Sequence, residues 1–282
     1  MIPAEFDYAR ATSVDEALRL LRDGGEDAKA LAGGHSLIPL MKLRLAAPTL
    51  LVDIGPVQEL RGIRRENGSV VLGAMTRHTD VAADASLGLA ARAASTIADQ
   101  QVRNRGTVGG TLAHGDPASD LPAVLLAMEG SVTIRGLEGA REVPAAEFFQ
   151  DYLTTAVGPA ELVTDVRMPV ADGWSHGYHK FNRRHEDWAM VAVCAMVRTA
   201  ADGSCEDVRI GLTNMGSTPL RATAAEEVLR GRPLTAETIA LAAEQADNGT
   251  APPEDLNASS DYKRHLARVL CRRAPEEAAG GR

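Results

Sequence analysis

The sequence predicts an α+β chain in which two small α/β units precede a C-terminal α+β domain. Three observations predict it. Helix and strand signals alternate from Ser13 to Met168. The turn formers Pro169, Asp172, Gly173 and Ser175 then interrupt the pattern. Beyond them, three strand-like stretches come before three helix-like ones. The expected divisions are residues 1–175, with units of about 1–56 and 57–175, and residues 176–282.

The elements follow in order. Ser13-Val14-Asp15-Glu16 has the form of a capping box, with Ala17, Leu18, Leu20 and Leu21 behind it at helical spacing. Gly24-Gly25 ends that helix. A strand over residues 28–32 leads into Gly33-Gly34-His35-Ser36, a helix over 37–45 and a strand over 50–54. The second unit begins near Gln58. A strand covers 69–74, and residues 79–98 hold two alanine-rich helical stretches. The polar, glycine-rich span from Gln101 to Asp120 reads as a long loop, and long loops in compact domains are often functional. Ser119-Asp120 is suited to cap a helix from Pro122 to Glu129. Strands are expected at 131–135 and 161–168, then at 177–182, 189–199 and 206–214. Helices are expected at 220–230, 236–246 and 261–272, with a frayed tail over 276–282. No internal repeat is visible.

Composition narrows the function. Hydrophobic residues make up 45% and charged residues 24%, an ordinary globular balance. The net charge of −8 argues against nucleic-acid binding, which needs clustered Lys and Arg. No apolar run reaches the ~20 residues of a membrane helix. The N-terminal residues lack a signal-type apolar stretch, so a cytoplasmic protein is expected. Cys194, Cys205 and Cys271 are odd in number and widely spaced, which disfavours a disulfide framework or a cysteine-ligated metal site. His176 and His179 offer a metal no third ligand in view.

The chemistry concentrates in two glycine-rich loops. In Ala32-Gly33-Gly34-His35-Ser36, a strand delivers the chain, two glycines let it bend, and a helix begins. Unpaired N–H groups at a helix start favour an anion, and Ser36 and His35 add donors. A tight turn alone would also explain the Gly-Gly pair. Asp53 lies about 20 residues on, where a ribose-binding acid of a Rossmann site would sit, but G-x-G-x-x-G is absent. No G-K-[ST] follows, which excludes a P-loop. The second loop, Thr107-Val108-Gly109-Gly110-Thr111, again offers close backbone approach and hydroxyls. Two such loops suit a ligand with two phosphates and long polar arms, as a dinucleotide has.

On the A-G-G-H-S and T-[IV]-G-G motifs, the chain resembles the FAD-binding medium subunits of the molybdenum hydroxylases, in particular the branch serving aerobic Mo/Cu carbon monoxide dehydrogenase. Residues 32–40, 97–123, 161–170, 177–189 and 210–220 all look like segments of that family. The resemblance implies a PCMH-type FAD domain of two subdomains, then a C-terminal domain with a three-stranded antiparallel sheet and a three-helix bundle. It implies FAD as cofactor, with Ala32, Gly33, Gly34, His35, Ser36 and Leu37, and Thr107, Val108, Gly109, Gly110 and Thr111, around the pyrophosphate. Thr111 stands where the family commonly has Asn or Ser. The resemblance further implies that Ile97 lines the FAD site, Asp120 binds FAD hydroxyls and Leu162 lies near the adenine. Lys180 would lie near the flavin, and Trp188 beside the isoalloxazine, where a tyrosine is familiar. Each has an ordinary reading too: Ile97, Leu162 and Trp188 as core, Asp120 as a helix cap, Lys180 as a solvated charge.

No cysteine framework for [2Fe–2S] clusters is present. The resemblance therefore implies one subunit of three, paired with a large molybdenum-cofactor subunit and a small 2Fe-2S subunit, in a dimer of heterotrimers. Electrons would leave FAD for an external acceptor such as a quinone. Peripheral attachment at the inner membrane face through the complex is part of the same expectation. The alternatives are a medium subunit of a purine, nicotine or aromatic-acid hydroxylase, and a standalone FAD-binding module.

Overall fold

The computed structural model describes residues 2–280; Met1, Gly281 and Arg282 lie outside the described residues, and with them the end of the expected frayed tail. Strand β1 (Asp7–Arg10) leads into helix α1 (Val14–Gly24). Ser13 caps α1 by accepting from the Glu16 N–H. The reciprocal bond of a capping box is displaced by one residue: Glu16 accepts from the N–H and hydroxyl of Thr12 instead. Val14, Ala17, Leu18 and Leu21 form the buried face. Then come β2 (Ala28–Leu31), α2 (Leu37–Lys42) and β3 (Leu50–Asp53). The strands make a parallel sheet in the order β1–β3–β2, with Asp7 and Ala28 both paired to Leu50. Helix α2 ends before the expected Leu45, and Arg44 turns the chain in a left-handed conformation.

The second unit begins with a 3-10 turn at Gln58–Leu60, followed by β4 (Ile63–Glu66), which the pattern did not reveal, and β5 (Ser69–Gly73). Helices α3 (His78–Ala83) and α4 (Leu89–Ser95) flank a second 3-10 turn. The span expected as one long loop instead contains α5 (Gln100–Arg103) and α6 (Val108–His114). Side-chain caps override its poor helix propensity: Asp99 accepts from Val102 N–H, and Thr107 from Gly110 N–H. Helix α7 (Asp120–Ala127), β6 (Ser131–Gly136), β7 (Gly139–Pro144), α8 (Ala145–Phe148), the small hairpin of β8 (Phe149–Asp151) and β9 (Thr154–Thr155), and β10 (Leu162–Pro169) complete the unit. Its antiparallel sheet runs β4–β5–β10–β6–β7.

The C-terminal antiparallel sheet holds β11 (Trp174–Phe181), β12 (Val191–Thr199), β13 (Cys205–Thr213) and the two-residue edge strand β14 (Leu220–Arg221). Trp174 and Ser175 thus open a strand rather than closing a linker. Leu220 and Arg221 pair with Leu212 and Gly211 rather than starting a helix. Helices α9 (Thr223–Leu229), α10 (Ala236–Ala243) and α11 (Ser260–Gly280) follow. The described part of the expected frayed tail is helical, with Pro275 inside α11 and Ala278 buried.

Helix α7 holds the layers together. Leu121, Pro122, Ala123, Val124, Leu125 and Ala127 are all buried, as expected of a helix apolar on every side. One side joins the core of the five-stranded sheet; the other meets β12 and β13, where Cys194 Sγ lies 3.6 Å from the Ala123 carbonyl. Helix α11 covers the far face of the C-terminal sheet. Among the described residues, no helix is long and apolar enough to cross a membrane.

Candidate functional site

Residues from both N-terminal units and from the C-terminal part meet around one cleft of about 820 Å³, a volume typical of small-molecule sites. The β2–α2 turn forms one wall. There the N–H groups of Gly33, Gly34, His35, Ser36 and Leu37 donate to no acceptor among the described residues, and all five residues line the cleft. Such a run of unpaired donors is an anion site. Gly34 has φ +78°, a left-handed conformation that side chains resist. A Cβ on Gly33 would stand 2.4 Å from Arg105 O and 2.9 Å from Gly106 Cα. Gly33 therefore permits the two glycine-rich loops to touch.

The second loop contributes differently. Val108 N–H donates to Thr76 O at 3.0 Å, Gly109 N–H to Ala74 O at 2.8 Å, and Thr111 N–H to Thr107 O at 3.0 Å. Its backbone is stitched to residues 74–76, so the hydroxyls of Thr107 and Thr111 are what it offers the cleft. Gly109, Gly110, Thr107 and Thr111 line the cleft; Val108 does not. Its side chain is fully buried in the apolar core beneath the loop.

Ile97, Asp120, Leu162, Lys180 and Trp188 also line the cleft. Asp120 is not a cap, since Ser119 and not Asp120 is the N-cap residue and it makes no side-chain cap bond. Asp120 is buried: Oδ1 accepts from the Tyr178 hydroxyl at 2.5 Å, and Oδ2 from Lys180 Nζ at 2.9 Å. Burial pushes the Asp120 carboxyl above its ordinary range, against the pull of Lys180 and of the Tyr178 hydrogen bond. Lys180 also donates to Thr96 O at 3.2 Å, so it is a buried, satisfied charge rather than a solvated one. Leu162 belongs both to the cleft and to the core of the first unit. Trp188 is 52% exposed at the rim. Its loop is held by Asn182 Nδ2, which donates to His185 O and Asp187 O, and by Asn214 Nδ2, which donates to Ala189 O and Met190 O.

Tyr178 and His78 were not singled out from the sequence. Tyr178 had a signal: it lies two residues before Lys180, so a strand presents both on one face. His78 had none, because its side-chain partner Thr111 is 33 positions away.

The donor set fits a dinucleotide: a row of bare N–H groups and two hydroxyls for a diphosphate, apolar walls for rings, and a buried ion pair. Comparison with known proteins agrees. The chain matches the FAD binding domain in molybdopterin dehydrogenase over residues 4–171 and the CO dehydrogenase flavoprotein C-terminal domain over residues 176–278. It belongs to the FAD-binding medium-subunit family of the molybdenum hydroxylases; it is an oxidoreductase subunit, and FAD is its cofactor. The carbon monoxide dehydrogenase medium chain of Hydrogenophaga pseudoflava is 44% identical over 279 residues, which cover 97% of each chain. The 6-hydroxypseudooxynicotine dehydrogenase complex subunit alpha of Paenarthrobacter nicotinovorans is 40% identical over 278 residues, covering 97% of this chain and 94% of its own length. A solved structure of the Hydrogenophaga pseudoflava carbon monoxide dehydrogenase lacking the Mo-pyranopterin moiety of its molybdenum cofactor matches with a TM-score of 0.95. The identity is 44%, covering 99% of this chain and 98% of that one.

Proposed function

We propose that this chain is the electron-output subunit of a heterotrimeric molybdenum hydroxylase that oxidises carbon monoxide. In this reading, a large molybdenum-cofactor subunit oxidises the substrate, and a small 2Fe-2S subunit relays electrons to this chain. An external acceptor, a quinone, receives them, and two heterotrimers form the assembly. The site is cytoplasmic, with contact at the inner membrane face made through the complex. The observation that carries the reading is the row of unpaired N–H groups from Gly33 to Leu37 beside the Thr107 and Thr111 hydroxyls.

When bound, FAD supplies single-electron uptake with two-electron storage. The chain's own residues position it. Ala32–Leu37 and Thr107–Thr111, apart from Val108, hold the pyrophosphate; Ile97 and Leu162 give apolar walls to the ring systems; Asp120 and Lys180 order the polar arm; and Trp188 covers the flavin at the rim. The division near residue 175 separates the FAD-binding part from the C-terminal part.

A second reading is favoured by the 40% identity to the 6-hydroxypseudooxynicotine complex subunit: the same role beside a different large subunit. Purification of the native complex with joint measurement of Mo, Cu, Fe and FAD decides between them. Copper with carbon monoxide oxidation supports the first reading. Mo and Fe without copper support the second. A yellow chain that copurifies with neither Mo nor Fe overturns both.

A further inference from the structure

Beneath the second glycine loop lies a side chain that the site described so far does not use. His78 opens α3 and is 2% exposed. Its backbone N–H donates to Gly106 O at 3.1 Å, and its ring Nε2 lies 3.0 Å from Thr111 Oγ1. The residue is therefore tied to the start of the loop by its backbone and to the end of it by its ring, and His78 and Thr111 both line the cleft. The other ring nitrogen, Nδ1, is buried and has no partner among the described residues.

That orphan selects the tautomer. Were the proton on Nδ1, a buried N–H would be left without an acceptor, and the Thr111 hydroxyl would have to give its own proton to Nε2. With the proton on Nε2, the ring donates to Thr111 Oγ1 and only a lone pair is left bare at Nδ1. Orphaned buried N–H groups are the rarer and costlier defect. Burial above all, with the charges of His35 and Arg103, pushes the His78 pKa down to about 4, so the ring is neutral near pH 7 and carries one proton. A hydroxyl has one proton to give and two lone pairs. Thr111 Oγ1 accepts from His78 with one of them, and its proton remains available to the cleft.

We infer that His78, protonated at Nε2, is a positioning residue that turns the Thr111 hydroxyl into a dedicated donor to an anionic phosphate oxygen of the bound dinucleotide. The inference rests on the reading that residues 107–111 face the pyrophosphate.

The test uses the full chain stripped of flavin, titrated with FAD and separately with riboflavin, which carries no phosphate. Flavin fluorescence reports both. His78→Asn, whose short amide cannot reach Thr111, is expected to weaken FAD about tenfold and leave riboflavin unchanged. His78→Gln, whose amide nitrogen reaches the Nε2 position, should stay within about threefold of the parent. Thr111→Val should lose as much as His78→Asn, and the double variant should be no weaker than either. FAD affinity unchanged in His78→Asn, additive losses, or equal weakening of riboflavin would each overturn the inference. Should His78→Asn not fold, Thr111→Val reads the same proton, and parental FAD affinity there overturns it. Gly110→Val, in the loop itself, separates the loop reading from the role of His78. If it keeps stoichiometric FAD, the loop reading itself fails; if it loses FAD while His78→Asn binds normally, only the role of His78 falls.

Discussion

Lys180 Nζ stands 2.9 Å from Asp120 Oδ2, and the two side chains are only 5% and 6% exposed. The pair joins the first turn of α7 to β11, so it ties the five-stranded-sheet unit to the C-terminal sheet at the wall of the cleft. Tyr178 takes the other carboxylate oxygen and Thr96 O takes a second proton of the ammonium. Each charge is thus compensated by more than one contact, which a buried ion pair requires.

Removing the cation should be costly. Lys180→Met leaves Asp120 buried and unpaired, and a loss of roughly 3–5 kcal/mol in urea unfolding at pH 7 is expected. Burial already raises the Asp120 pKa and Lys180 opposes that rise. The variant should therefore hold Asp120 protonated to a higher pH and recover part of its loss on acidification. A pH-independent loss would show that the charge is not the cause.

Tyr178→Phe removes one donor and little volume. A loss of about 1.5–3 kcal/mol is expected, because the acceptor is a charged group. Thermal unfolding measures it. An unchanged midpoint would mean that the Asp120–Lys180 pair needs no third member.

His78 should make stability depend on acid. Its folded pKa of about 4 lies below the ordinary 6.5. Between those values the unfolded chain binds a proton that the native chain refuses. The stabilisation is therefore complete above pH 6.5 and is lost as pH falls toward 4, by roughly 2–3 kcal/mol at pH 4.5. Burial also lowers the pKa of His114, His176 and His179, with the same sign. Comparison with His78→Gln isolates the single group: the parent should lose that much more than the variant between pH 7 and pH 4.5. Parallel curves would refute the assignment.

Trp188 makes the opposite case. It is half exposed at the rim, so Trp188→Ala should change stability by less than ~0.5 kcal/mol. The flavin absorbance or its reoxidation rate should nevertheless change. A destabilised variant with an unchanged flavin would make Trp188 a packing residue.

FAD removal should itself be visible. A ligand that binds only the native chain adds about 2.7 kcal/mol at a hundred times its Kd. The stripped chain should melt earlier, and added FAD should restore the midpoint more than riboflavin does if the donors of Gly33 to Leu37 hold the phosphates, which riboflavin lacks. Equal rescue by the two flavins would count against a phosphate cradle there.

The regular parts of the fold were legible because each carries a local signal. Short apolar, strand-like stretches marked β5, β6, β10 and the long C-terminal strands; Ser13 marked α1. The elements that escaped are those whose stability comes from elsewhere. Strands β4 and β7 are edge strands with charged faces, held by pairing with β5 and β6. Helices α5 and α6 sit in a glycine-rich stretch and rely on caps at Asp99 and Thr107. At the site, a motif marked the glycine loops. It did not show that their donors differ in kind, nor that Val108 points away, because both depend on Ala74 and Thr76 more than thirty positions earlier. The partnership of Asp120 with Tyr178 and Lys180 is likewise non-local, and only the two-residue period of β11 hinted at it.

Helix α7 lies within the first matched family segment, yet its second side is the floor of the C-terminal sheet. A Cβ on Gly211 of β13 would stand 2.4 Å from the Ala123 carbonyl of that helix. The two matched segments are consequently not exchangeable cassettes. A fragment ending at Asp172 would carry a greasy helix flank with no cover, and the remainder would carry a sheet stripped of its lining. Grafting the C-terminal half of a relative onto this N-terminal half succeeds only when the contact surface of α7 travels with it.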